Sequence, residues 1–258
     1  MPHTEKMPSH RTAHSLVLPL PRRAPIYFGA LWVLTFAFGF IIASIPGALS
    51  AQLGLDRALN DAHSPLLDAV AKTLDKLDSV TVVAAFIVVL VVVVGLSSSW
   101  WRGIAAAFVA GGGWLLCLIP KAVVAEARPP AGSIAHTVIG DAATLSYPSG
   151  HVVFAVTFTV AAVLVARRGA VRAIVAAVGI LFVLVTAWSR LYVGAHYGTD
   201  IVGAVLAGLA GALTIAWLWN VVAPRVARRF SGAATDDKAS PSASPAPRTP
   251  REDADLRS

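Results

Sequence analysis

Three short polar segments of this chain hold residue types that could together perform chemistry on an anion. In chain order they contain Lys121 and Arg128, then Ser149, Gly150 and His151, and finally Arg190, His196 and Asp200. The cations have too little acid nearby to pair them all, and both arginine and lysine are suited to phosphate. Ionisable groups at the ends of apolar segments are costly unless paired or solvated. The residue types therefore predict a phosphate-binding site.

The histidines add reactivity to this site. His196 and Asp200 are four positions apart, so the carboxylate can hold one imidazole nitrogen and leave the other as a nucleophile. If the helix here begins before Gly198, the pair stacks on one face; if Thr199 is the N-cap, Asp200 must reach back. His151 could protonate a leaving alkoxide. The cations can neutralise the charge of a transferring phosphoryl group, so we expect neither a metal nor a cofactor.

The phosphate contacts are predicted to come from helix ends. Ser149-Gly150 opens a helix whose free N–H groups suit a phosphate. Lys121 and Arg128 are seven positions apart and would lie within about 20° of each other on a continuous helix. Pro129 disfavours helix at the residue before it, so the helix is predicted to end at Arg128.

The elements that position these residues are predicted to be membrane helices. The chain has 258 residues and is 56% hydrophobic, with a mean hydropathy of +0.70. That is too apolar for an ordinary soluble domain, and it indicates an all-α, polytopic bundle of six transmembrane helices. The helices are predicted near Ile26–Ile45, Ser79–Leu96, Gly103–Pro120, Pro148–Ala166, Ala173–Trp188 and Asp200–Val222. The one cysteine, Cys117, can form neither an intramolecular disulfide nor a cysteine-based zinc site.

The basic residues predict the orientation in the membrane. Of 21 Lys and Arg, fifteen fall on the side of the termini and six on the opposite side, which carries the three polar segments. The positive-inside rule therefore puts both termini in the cytoplasm and the site on the extracytoplasmic side of the cell membrane. We expect residues 1–25 to form a cytoplasmic segment, 26–224 the membrane domain, and 225–258 a basic juxtamembrane stretch with a disordered tail. The charge of +7 reflects this orientation, and nucleic acid is not an expected partner.

A short amphipathic helix is predicted between the first two membrane helices. Ser64-Pro65 is a helix-start signal, with an N-cap and a proline at the first helical position. One face would carry Leu66, Leu67, Val70, Leu74 and Leu77. Such a helix lies on the membrane surface or packs over the bundle.

The three segments together resemble the signature of the type 2 phosphatidic acid phosphatase (PAP2) superfamily, which is K-x6-RP, PSGH and SR-x5-H-x3-D. Here the signature falls on Lys121, Arg128-Pro129, Pro148–His151, Ser189-Arg190, His196 and Asp200. Each motif alone is weak, and each histidine or cation alone could be a capping, paired or snorkelling residue. All three in order, at helix ends that face one side, form a specific signal.

The resemblance implies a membrane lipid phosphatase. His196 would attack phosphorus, Asp200 would orient it, and His151 would protonate the leaving oxygen and then activate water. The residues implied to hold the phosphate are Lys121, Arg128, Ser149, Gly150 and Arg190. The implied substrates are phosphatidic acid, phosphatidylglycerol phosphate or a polyprenyl diphosphate, among which the sequence does not choose.

Other functions remain open on the same scaffold. An acceptor alcohol in place of water would make the protein a lipid phosphotransferase. A protein that binds or flips lipids without hydrolysis is a second alternative. Haloperoxidases hold vanadate in a similar anion site, but they are soluble, unlike this apolar chain. The expected partners are a lipid phosphate and the bilayer, and the sequence does not predict an oligomeric state.

Overall fold

The fold is described from a computed structural model, which covers residues 17–139 and 145–236. The chain divides into two compact units, residues 1–224 and 225–258. In the second unit the described part, 225–236, is helical. The expected tail beyond 236 and most of the predicted N-terminal segment lie outside the described residues, and the domain boundaries stay a prediction.

The described residues form helices and turns without strands. The helices are α1 (Ala24–Ser44), α2 (Ala48–Asp61), α3 (Pro65–Asp75), α4 (Val80–Ser97), α5 (Trp100–Val124), α6 (Gly150–Val165), α7 (Ala170–Tyr192) and α8 (Gly198–Asp236). A 3-10 turn over Lys76–Asp78 joins α3 to α4, and α5 contains a π-helical turn at Phe108–Gly112. The predicted all-α class is confirmed.

Within the described residues, five helices are long and apolar enough to cross a membrane: α1, α4, α5, α7 and residues 198–227 of α8. The remaining apolar helix, α6, has 16 residues and falls below the usual length of a span. It is also the most buried helix, with both His151 and Phe154 inside the bundle. The protein is thus an integral membrane protein, while the count of six spans stays a prediction.

The bundle is held together by close approaches at glycines. A Cβ on Gly211 of α8 would lie 2.6 Å from the carbonyl oxygen of Gly113 in α5, so these helices touch through their backbones. A Cβ on Gly203 would lie 2.1 Å from the ring of Tyr147. The Tyr147 hydroxyl donates a 2.6 Å hydrogen bond to the carbonyl oxygen of Thr35 in α1. The segment before α6 is thereby fixed against two membrane helices.

The connection between α1 and α4 is more structured than the sequence predicted. It contains two helices rather than a single short one, because α2 precedes α3. The start of α3 follows the prediction: the Ser64 hydroxyl accepts a 3.3 Å hydrogen bond from the N–H of Leu67, and Pro65 is the first helical residue. The predicted apolar face is only partly buried, since Leu66 is 73% exposed whereas Leu77 is buried. The predicted amphipathic role stays a prediction.

Candidate active site

The first turn of α8 positions the pair of His196 and Asp200. Asp200 is the third helical residue, and its Oδ2 accepts a 3.0 Å hydrogen bond from the N–H of Tyr197, the residue before the helix. The same oxygen lies 3.1 Å from Nδ1 of His196. The helix begins at Gly198, so neither predicted start is found, and the Asp200 carboxylate reaches back along the chain to His196.

The side chain of Ser146 contacts both His196 and Asp200. The Ser146 hydroxyl donates to Oδ2 of Asp200 and lies 3.3 Å from Nδ1 of His196. Because the carboxylate accepts from Nδ1, the proton of the neutral imidazole is on Nδ1 and the lone pair is on Nε2. Nε2 is buried and meets no hydrogen-bond partner among the described residues. Asp200 therefore holds the His196 imidazole at Nδ1 and leaves Nε2 as its basic nitrogen.

The electrostatics of His196 also favour the neutral ring. The pKa of His196 is lowered to about 4, chiefly because the charged form loses its hydration on complete burial. Asp200 opposes this shift, while the positive charges of Arg128 and Lys121 add to it. At neutral pH the imidazole is thus unprotonated, as a nucleophile requires.

A left-handed turn brings Arg190 and His196 to the same region. Gly194 has φ +62°, its N–H donates to the carbonyl oxygen of Leu191 at 2.9 Å, and the next N–H, of Ala195, donates to that of Arg190 at 3.0 Å. This is a Schellman motif, which ends α7 and reverses the chain. The five residues between Arg190 and His196 thus hold the turn that the geometry needs.

The N-terminus of α6 lies against the start of α8, which carries Asp200. The backbone N–H of Ser149 donates a 3.4 Å hydrogen bond to the carbonyl oxygen of Asp200. The Ser149 hydroxyl oxygen is buried and has no partner among the described residues. Gly150 begins the helix and His151 follows it, buried. As predicted, the motif opens a helix, and its first N–H groups point towards the same end of the bundle as Asp200.

His151 and Arg190 meet at the end of α3. His151 Nε2 donates a 2.9 Å hydrogen bond to the carbonyl oxygen of Asp75 and lies 3.3 Å from NH1 of Arg190. The same NH1 donates to Oδ1 of Asp75 at 2.7 Å. Arg190 is only 1% exposed, so its charge is compensated inside the protein. The contact with α3 was not anticipated from the sequence.

Lys121 and Arg128 point to the loops on either side of the pair. Lys121 Nζ donates to the carbonyl oxygens of Leu145 at 2.9 Å and Ser146 at 3.3 Å. Arg128 donates a 3.2 Å bond to the carbonyl oxygen of Ala195. The prediction that their helix ends at Arg128 is wrong, because α5 ends at Val124. The next residue has φ +52°, so it leaves the helix before the proline pair exerts its effect.

The sequence did not predict that several further polar residues lie around this site. Ser146 lies just before the second motif, and Glu126 lies inside the first without being a specified position. Helix α2 adds a row of Gln52, Asp56 and Asn60, and the available signal was their four-residue spacing, which places them on one face of the helix. Gln52 accepts from the N–H of Thr199 at 2.9 Å, and Asn60 donates to the carbonyl oxygen of Tyr192 at 3.1 Å.

The carboxyl group of Asp56, on α2, is less acidic than an ordinary aspartate. Burial, and to a lesser extent the charge of Asp200, raises the pKa of Asp56 to about 7. Across residues 17–139 and 145–236, no three histidine, cysteine or carboxylate side chains form a group that could hold a metal ion.

Comparisons with known proteins find similarity to one family model, one crystal structure and two curated proteins. A family model described as the PAP2 superfamily matches residues 100–224, which include all three motifs. This confirms the resemblance predicted from the motifs. The structure also matches a crystal structure of a transmembrane PAP2-type phosphatidylglycerolphosphate phosphatase from Bacillus subtilis, with a TM-score of 0.63 and 19% identity over 76% of this chain and 97% of that one. This second match shows a shared fold.

Two curated proteins are similar in sequence. YbjG of Escherichia coli (strain K12), provisionally named an undecaprenyl-diphosphatase, is 30% identical over 105 residues, which are 40% of this chain and 50% of that protein. The undecaprenyl-diphosphatase BcrC of Bacillus subtilis (strain 168) is 31% identical over 90 residues, 34% of this chain and 42% of that protein. The chain thus spans about half the length of the curated relatives it matches.

Proposed function

We propose that the protein is a membrane-bound lipid phosphate phosphatase that works through a phosphohistidine intermediate. The observation that carries the proposal is the buried His196, held at Nδ1 by Asp200 and carrying its lone pair on Nε2. His151 and Arg190, from two other helices, lie together at the same end of the bundle. The agreement with the PAP2 superfamily supports the same reaction class.

In the first half-reaction, Nε2 of His196 attacks phosphorus and the bond from phosphorus to the leaving oxygen breaks. Asp200 stabilises the positive charge that develops on the imidazole. His151, in its protonated form, gives a proton to the leaving oxygen. Lys121, Arg128, Arg190 and the N-terminal groups of Ser149 and Gly150 hold the phosphoryl oxygens.

In the second half-reaction, His151 accepts a proton from water, and the oxygen of that water attacks the phosphorus of phosphohistidine. The P–N bond breaks, its electron pair returns to Nε2 of His196, and inorganic phosphate leaves. The proton then held by His151 restores the acid for the next cycle. The chemistry of the two half-reactions needs only these protein groups and water.

The sequence relatives favour a polyprenyl diphosphate as the substrate. Both curated relatives carry the name undecaprenyl-diphosphatase, whereas the phosphatidylglycerolphosphate phosphatase is similar in fold. We therefore place undecaprenyl diphosphate first, and phosphatidylglycerol phosphate and phosphatidic acid after it. The distribution of Lys and Arg supports cytoplasmic termini and a site that opens on the extracytoplasmic side.

The test is phosphate release by the purified full-length protein in mixed micelles. Undecaprenyl diphosphate, phosphatidylglycerol phosphate and phosphatidic acid are offered in parallel, with and without EDTA. We expect turnover of at least one lipid that His196→Gln abolishes, together with an acid-labile labelled phosphoenzyme in the wild type. His136→Gln, an exposed histidine outside the site, is the matched control and is expected to keep the activity. Full turnover by His196→Gln contradicts the proposal.

A further inference from the structure

A second buried carboxyl group, that of Glu126, lies near Asp200. Glu126 lies between α5 and the Pro129-Pro130 pair, and it is only 5% exposed. Both of its side-chain oxygens are buried, as is Oδ1 of Asp200, and the charge of Asp200 acts on its carboxyl group. Its backbone is fixed as well, because its carbonyl oxygen accepts a 2.7 Å hydrogen bond from the N–H of Ser146. Glu126 is therefore held against the pair by the same loop that supplies Ser146.

The two oxygens of Asp200 have different environments. Oδ2 accepts from Ser146, His196 and the N–H of Tyr197. Oδ1 is buried and meets no N–H or hydroxyl donor among the described residues, and the same holds for both side-chain oxygens of Glu126. Two ionised carboxylates repel each other, so a hydrogen bond between them requires a proton on one. Asp200 already has three donors on Oδ2, which favours its ionised form and leaves the proton to Glu126.

We propose that Glu126 is a positioning residue whose neutral carboxyl group donates its O–H to Oδ1 of Asp200. The bond would fix the plane of the Asp200 carboxylate, so that Oδ2 stays directed at Nδ1 of His196. It would also keep a second negative charge away from the phosphate site. The proposal rests on the proposed function, in which Asp200 orients the nucleophile.

The surroundings of Glu126 agree with a neutral carboxyl group. Burial above all, together with the nearby Asp200, raises the pKa of Glu126 to about 8, while the positive charge of Lys121 opposes this shift. The other titratable groups that face it are the hydroxyls of Tyr147 and Tyr197, both neutral below pH 10. Below about pH 8 the neutral carboxyl group of Glu126 can thus donate its O–H to Asp200. Above that pH Glu126 is ionised and becomes a second negative charge beside Asp200. Activity is expected to fall as Glu126 loses its proton.

The test compares kcat from pH 6 to pH 10 for the wild type, Glu126→Gln and Glu126→Leu. The glutamine amide can donate to Oδ1 at every pH, so Glu126→Gln is expected to keep at least a third of kcat at pH 7 and to lose the decline near pH 8. Glu126→Leu offers no donor, and we expect at least a 20-fold loss of kcat with little change in KM. An unshifted decline in Glu126→Gln, or a kcat of Glu126→Leu within twofold of the wild type, overturns the proposal.

Asp56 provides the matched comparison, because it is a second buried acid near Asp200 with a raised pKa. If Asp56→Asn removes the alkaline decline and Glu126→Gln does not, the proposal is wrong. The melting temperature does not depend on turnover, so it tests the role of Glu126 separately from the proposed phosphatase activity. A neutral Glu126 predicts that the melting temperature of the wild type falls relative to Glu126→Gln as the pH rises from about 5 to about 8. A constant difference overturns the proposal even if the protein is not a phosphatase.

Discussion

Asp75 and Arg190 form an ion pair with 2.7 Å between Oδ1 and NH1, although they are 115 positions apart in the chain. The pair joins the end of α3 to the last turn of α7. Arg190 is buried, while the Asp75 side chain is 37% exposed, so the carboxylate can move into water more easily than the guanidinium can. In the proposed mechanism a phosphate must compete with Asp75 for this cation.

Removing the Asp75 charge is therefore expected to tighten phosphate binding. For Asp75→Asn we expect the inhibition constant of inorganic phosphate to fall about two- to fivefold, which corresponds to a partly exposed ion pair of about 0.5–1 kcal/mol. The measurement is competitive inhibition of lipid turnover at fixed pH. Asp61→Asn, an exposed acid at the end of α2, serves as the control. A weaker affinity in Asp75→Asn would mean that Asp75 holds Arg190 in place for the substrate.

His151 is expected to matter most for substrates with poor leaving groups. A general acid typically contributes about 10²–10⁴-fold, and an aryl phosphate that leaves as a stable phenolate needs it least. For His151→Gln we predict a loss in this range with an alkyl lipid phosphate and a clearly smaller loss with p-nitrophenyl phosphate. Steady-state kinetics with both substrates check this. Equal losses would argue against proton donation by His151.

Gly194 is expected to be essential for the turn between Arg190 and His196. Its φ of +62° costs a residue with a Cβ about 1–2 kcal/mol, and the added carbon would lie 3.0 Å from the Ile134 side chain. Gly194→Ala should lower the melting temperature and kcat together. Gly132→Ala is the matched control, because Gly132 has φ +78° with nothing within 4 Å of the added carbon. If both substitutions have the same effect, the contact with Ile134 does not contribute.

We expect that position 203 requires glycine, because the ring of Tyr147 occupies the space that a side chain would need. Gly203→Ala places a carbon within 2.1 Å of that ring, and such overpacking typically costs about 1–3 kcal/mol. Tyr147→Ala alone loses the ring and its bond to Thr35, but it makes room for the extra carbon. We therefore predict that the double substitution is less destabilising than the sum of the two single ones. Thermal unfolding in detergent measures the four stabilities, and additive effects would contradict the contact.

Stability at acid pH should report on His196. The pKa of His196 is lowered to about 4 in the folded protein, so the unfolded chain binds a proton more readily. The stabilisation by the neutral ring is complete above the ordinary pKa near 6.5 and is lost as the pH falls towards 4. The melting temperature of the wild type is thus expected to fall relative to His196→Gln between pH 6.5 and pH 4. A constant difference across this range would show that the imidazole is not buried as a neutral group.

The sequence by itself determined the class of the fold, and it predicted the main residues of the candidate site. Long apolar segments bounded by charge leave helices as the natural solution in a membrane, because every backbone polar group is satisfied within the segment. The spacing of His196 and Asp200 and the start of a helix at Ser149-Gly150 depend on neighbours in the chain. Such local relations can be read from the order of the residues.

Only the tertiary structure decided which distant groups support this site. The contacts of Asp75 with Arg190 and of Gln52 with Thr199 join residues more than 100 positions apart. The proximity of Glu126 to Asp200 likewise depends on the turn that follows α5. The presence of α2 and the end of α5 at Val124 likewise became apparent only in the structure. A pattern along the chain records which residues are polar, whereas the fold decides which buried polar groups must satisfy one another.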